Sequence, residues 1–190
     1  MAYKKKLTFG LIVGTRNIFN AKLAEEARAV LLKKMNEWGY DTVILPSEET
    51  PTGNIETYQD AKKCAALFSK NRDIIDGVIV VLPNFGDELG IVNTLNRAKL
   101  DVPVLIQACD DDNDKVDVHS RRDAFCGKLS VCNNLYQYGI PFSDTTYHTY
   151  PLDSELFAKD VAKFAGVCRV VGGIKGALSL IHISEPTRPY

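Results

Sequence analysis

The sequence predicts an α/β fold layered around a mainly parallel sheet. Short apolar runs alternate with longer amphipathic stretches, giving four clear strand–helix units in order. One run, VIVVL at Val78–Leu82, is uninterrupted, as in strands covered on both faces. Glycine or proline closes several of these elements, where a layered chain has to turn.

Leu7 to Val13 suits a first buried strand, ended by Gly14 and Thr15. Leu23, Ala27, Val30, Leu31, Met35 and Trp38 recur at spacings of three and four with Lys and Glu between them, which predicts a long helix closed by Gly39. TVIL, Thr42–Leu45, is a second strand stopped by Pro46, and 46–54 reads as a polar loop. A helix follows from about Glu56 to Lys70, then the Val78–Leu82 strand, ended by Pro83. The next helix covers roughly Asp87 to Ala98, and VPVLIQA, Val102–Ala108, is the fourth strand. After a long acidic loop come a helix from about Ser120 to Tyr138, a short fifth strand at Ile140–Phe142 and a last helix over about Ser154–Val170. Without repeats or low-complexity linkers, the chain reads as one domain up to about Gly173.

Hydrophobic residues make up 45% of the 190 residues and charged residues 25%, which excludes a disordered chain. A net charge of -1 offers neither a basic surface for nucleic acid nor a polybasic patch for a membrane. MAYKKKLTFGLIVG has a basic start and an apolar run, as a signal peptide does. The run is short, however, and Thr15-Arg16-Asn17 stand where small cleavage-site residues belong. The five cysteines, Cys64, Cys109, Cys126, Cys132 and Cys168, form no C-x-x-C pair; they read as buried reduced thiols in a cytoplasmic protein rather than as a zinc site.

In an open parallel sheet, ligands bind beyond the carboxyl ends of the strands. Three stretches lie there. GTRN, Gly14–Asn17, has neither the G-x-G-x-x-G cradle nor a P-loop ending; Arg16 either offers its fork of donors to a substrate or is an exposed helix-start arginine. In PNFGDELG, Pro83–Gly90, Asp87 and Glu88 suit a helix start; alternatively Asn84, Asp87 and Glu88 hydrogen-bond a polyol while Phe85 packs on its apolar face. In CDDDNDKVD, the D-x-D-x-D of Asp110, Asp112 and Asp114 invites a calcium reading. Lys115 and Arg121 stand where an EF-hand needs Gly and Glu, so a solvated acidic loop is expected. No nucleophile–base arrangement is readable, and Tyr136, Tyr138, Phe142, Tyr147 and Tyr150 suit packing or a subunit contact.

The stretch LPNFGDELGIVNTLNRAKLDVPVLIQACDDD, with GLIVGTRNIFN upstream, resembles the amino-terminal part of the L-fucose/L-arabinose isomerase family, over about Lys5 to Gly176. The resemblance implies a three-layer Rossmann-like or flavodoxin-like domain of an aldose–ketose isomerase. It also implies a divalent cation, usually Mn²⁺, held by Glu, Asp and His of a later region, so no metal ligand or catalytic residue is expected within this chain. It further implies a homo-oligomer, trimer or hexamer, in which amino-terminal loops help close a neighbour's sugar site. Arg16 and the loop of Asn84, Phe85, Asp87 and Glu88 match those loops. After VGGIKGA the family continues into its next domain, whereas LSLIHISEPTRPY resembles an in-frame translation of a transposase sequencing adapter. Residues 177–190 are therefore expected to be a non-native tail, outside the 1–176 domain and without helical period. Two other readings stand beside the isomerase: a stand-alone sugar- or effector-binding domain without catalysis, and a flavodoxin-like electron carrier. The carrier lacks the Ser/Thr-rich phosphate cradle after the first strand.

Overall fold

Residues 6–51 and 53–184 are described by a computed structural model, with side chains to residue 177. Five parallel strands form one sheet in the order β2-β1-β3-β4-β5: β1 Thr8–Val13, β2 Asp41–Ile44, β3 Gly77–Leu82, β4 Val104–Ala108 and β5 Ser143–Asp144. The helices between them are α1 Ala21–Glu37, α2 Tyr58–Lys70, α3 Glu88–Ala98, α4 Ala124–Gln137 and α5 Glu155–Ser184.

Side-chain alternation along the strands divides the core into two layers. Val78, Val80 and Leu82 of β3 pack with Ile12, Phe68 of α2, Ile91 of α3 and Val131 of α4. Ile79 and Val81 face the other way and meet Phe9, Leu11 and Val13 of β1, Leu31 of α1 and Phe157 of α5. Helices thus cover both faces, which is why β1 and β3 are buried along their whole length. Burying each such Leu, Ile or Phe contributes about 1.5–3 kcal/mol.

Helix starts follow local chemistry. Asn20 caps α1 by accepting the N–H of Lys22 at 3.0 Å. Thr57 and Asp60 cap α2 reciprocally: Thr57 Oγ1 accepts the Asp60 N–H at 3.2 Å, and Asp60 Oδ2 accepts the Thr57 N–H at 2.8 Å. Asp87 caps α3 through the Gly90 N–H at 2.7 Å.

The structure corrects several boundaries. The fifth strand is not Ile140–Phe142 but the two residues Ser143–Asp144, paired with Leu105 and Ile106, because Pro141 has no N–H to give to a ladder. The fourth strand begins after Pro103 for the same reason. A 3₁₀ turn, Ser47–Glu49, sits within the polar loop. The acidic segment runs on to Asp123, and α4 starts at Ala124 rather than near Ser120. The last helix does not stop near Val170: its backbone continues to Ser184, since no proline interrupts the chain between Pro151 and Pro186. The expectation that the tail has no helical period therefore fails for 178–184, and 185–190 lie outside the described residues. Cys64, Cys109 and Cys168 are buried as expected, and burial pushes the Cys64 thiol up to about 12; Cys126, by contrast, is exposed on the α4 surface.

Candidate functional site

In the strand order 2-1-3-4-5 the chain leaves the sheet in opposite directions after β1 and after β3, opening a crevice at their carboxyl ends. Both loops named from the sequence meet there. Arg16 follows β1 by three residues and forms an ion pair with Glu88, the first residue of α3. Asp87 Oδ2 lies 3.7 Å from the same guanidinium, and the Arg16 Cζ sits 4.5 Å from the centre of the Phe85 ring. The Arg16 side chain is 28% exposed and that of Glu88 22%, so the cluster is desolvated on one side and open on the other.

Asn84 does a different job. It is wholly buried; its amide donates to Thr15 Oγ1 at 3.0 Å and its carbonyl accepts the Gly86 N–H at 3.0 Å. It joins the two strand-end loops and folds its own into a tight turn. Gly86 has φ +71, and a side chain there would strike Leu82 Cδ2 at 2.6 Å, so this turn needs glycine. Asp87 combines two roles, since one oxygen caps α3 and the other faces Arg16.

Glu56 and Phe19 complete the cluster, and neither stood out in the sequence. A parallel bridge between Gly14 and Ile55 brings the start of α2 beside the β1 loop, and Glu56 Oε1 accepts the Asn17 N–H at 2.7 Å. Burial raises the Glu56 pKa above its ordinary value, against the Asn17 hydrogen bond. Asp60 and Asp87 push it the same way, and Arg16 pulls it back. The buried Phe19 ring stacks on Phe85 with centroids 6.3 Å apart and planes 14° from parallel, and Arg121 lies 6.0 Å over its ring. The signals available were the T-x-x-D capping pattern, which fixes where α2 starts, and the aromatic residue three places after Arg16.

Two carboxylates, Asp87 and Glu88, thus flank one guanidinium beside a partly exposed aromatic ring, with Glu56 near enough to feel its charge. Such a set can orient the guanidinium toward a hydroxyl-rich ligand and offer an apolar ring face to its C–H groups. Other motifs gather elsewhere. In the acidic loop Asp112 pairs with Lys115 at 3.1 Å, and Asp111 Oδ1 accepts the N–H groups of Arg122 and Asp123. Of the aromatic residues from Tyr136 to Tyr150, Tyr150 is buried against Phe157 and Tyr136 is exposed on α4. Among the described residues no three His, Cys, Asp or Glu stand together in a way that could hold a metal ion. Among them, too, no helix is long and apolar enough to cross a membrane.

Comparison with known proteins adds one finding. The profile described as "Fucose/sulfoquinovose isomerase, N-terminal domain" matches residues 10–175, a span that holds β1 from Gly10 onward, all of β2 to β5 and the whole Arg16 cluster. No curated protein matches the chain. No solved structure matches it. With most of its length inside that profile, the chain belongs to the family of the fucose/sulfoquinovose isomerase N-terminal domain.

Proposed function

We propose that the chain is the amino-terminal part of an aldose–ketose isomerase acting on a sugar such as L-fucose or L-arabinose. Arg16 and the Asn84–Glu88 loop then contribute to the sugar site of a neighbouring subunit in a cytoplasmic homotrimer or homohexamer. The observation that carries this reading is the convergence of Arg16, Phe85 and Glu88 in the crevice between β1 and β3. Glu88 and Asp87 hold the guanidinium so that its outward N–H groups meet sugar hydroxyls, and Phe85 packs on the sugar's apolar face. Asn84 keeps the two loops in register from below.

In this reading the catalytic cation, Mn²⁺, belongs to a later region of the longer protein. There a divalent metal polarises the oxygens of the sugar. Among the described residues no carboxylates form such a set; Asp87 and Glu88 flank Arg16 instead.

The 190-residue chain, given L-fucose or L-arabinose with Mn²⁺, is expected to produce no ketose. In the full-length isomerase, Arg16→Ala is expected to lower kcat/KM by about 10- to 100-fold, the size of one lost charge-assisted hydrogen bond. Turnover by the short chain, or an unchanged kcat/KM in Arg16→Ala, would overturn the proposal. Sugar binding by the short chain would favour a stand-alone binding domain instead.

A further inference from the structure

The acidic loop after β4 holds no cation-binding set among the described residues, yet one of its members is tied to the crevice. Asp111 Oδ1 accepts two backbone N–H groups at once, Arg122 at 3.0 Å and Asp123 at 2.9 Å. That pair of hydrogen bonds fixes the segment entering α4, where Asp123 sits in the left-handed region at φ 51. From this segment and α4, two contacts reach the Phe85 loop and a third reaches Phe19, which stacks on Phe85. Arg122 Nη1 donates to the Pro83 carbonyl at 2.8 Å. Gly127, in the first turns of α4, lies flat against Phe85: a Cβ there would overlap the Phe85 carbonyl oxygen and fall 2.7 Å from its Cα. Arg121 closes a stack that runs through Phe19 and Phe85 to Arg16.

We propose that Asp111, Arg122 and Gly127 are positioning residues for the crevice. Asp111 holds the segment before α4, Arg122 and Gly127 seat the Phe85 loop against it, and Phe85 sets where the Arg16 guanidinium lies. The loop between β4 and α4 thereby acts on the β1–β3 crevice without touching its ligand. The consequence for sugar handling rests on the function proposed above, whereas the positioning itself does not.

The test uses the whole 190-residue chain, labelled with ¹⁵N and free of sugar. Its readout is the Arg16 Nε–Hε resonance, shifted by the ring current of Phe85 and assigned by its disappearance in Arg16→Lys. Asp111→Ala is expected to abolish that ring-current shift, and Asp111→Asn, which keeps an acceptor oxygen, to restore it. Arg122→Ala, which leaves both backbone bonds of Asp111 in place, is expected to displace the same resonance. Asp112→Ala, next in the loop, is expected to leave it alone. The proposal is overturned if Asp111→Ala and Arg122→Ala move only the amides of 110–124 while the Arg16 signal stays. It is equally overturned if Asp112→Ala acts like Asp111→Ala. No sugar enters the experiment, so positioning can fail with the isomerase reading intact, and the reverse.

Discussion

Two polar clusters in this chain are each built around one cation, and they differ in how completely that cation is matched. Lys128 is 2% exposed, and its three ammonium protons have three acceptors: Thr145 Oγ1 at 2.7 Å, the His148 carbonyl at 2.9 Å and the Asp144 carboxylate. Beside it, Asp160 accepts the Thr146 N–H at 2.7 Å, the Thr146 hydroxyl at 2.6 Å and the Tyr150 hydroxyl. Arg16 instead pairs with two carboxylates, Asp87 and Glu88, and stays partly open to solvent, while burial raises the pKa of the neighbouring Glu56 more than Arg16 lowers it. A matched network spends its hydrogen bonds on holding the 144–150 segment and has none to offer a ligand. An unbalanced, half-open one leaves charge and donors over, which is the condition for binding something else.

The largest expected effect lies in the matched network. Lys128→Ala removes all three bonds and leaves a cavity, and should cost about 3 kcal/mol in urea unfolding. An unchanged midpoint would mean the network is dispensable and the contrast drawn here is void.

Asp160→Asn should cost roughly 1–2 kcal/mol at pH 7. Burial alone would raise the Asp160 pKa, but its hydrogen bonds from Thr146 and Tyr150 outweigh burial and hold it below the ordinary value. A lowered folded pKa gives stability that is present above the unfolded value, about 3.9, and is lost as pH falls through the folded one. Stability curves from pH 5 to pH 2 should therefore lose part of their slope in Asp160→Asn.

The smallest effect, of opposite sign, belongs to the crevice. Because the folded pKa of Glu56 is raised, its contribution is present below the unfolded value of about 4.3 and is lost as pH rises through the folded value. Glu56→Gln keeps an acceptor for the Asn17 N–H and should slightly raise Tm at pH 7 while leaving it unchanged at pH 3. A fall at pH 7 would place Glu56 with the matched network.

Much of the crevice was legible in the sequence. Arg16 and the Asn84–Glu88 loop could be named because strand ends are readable from apolar runs that stop at Gly or Pro, and ligands gather at strand ends. The inward turn of Asn84 was not legible, since its partner Thr15 is 69 residues away. The acidic loop reads as a solvated surface, yet Asp111 is an anchor because the segment returns on itself between 111 and 122. The fifth strand was displaced by only a few residues because Pro141 narrows where a ladder can form.

By itself the sequence determined the layered α/β class, the starts of α2, α3 and α5 to within two residues, and the loops at the carboxyl ends of the strands. These depend on local periodicity and on capping residues three or four places apart. Only the tertiary structure decided that β1 and β3 lie side by side, that Glu56 joins the Arg16 loop through the Asn17 N–H, and that Gly127 packs on Phe85. Those contacts join residues tens of positions apart, and burial and charge balance exist only once the chain has closed on itself.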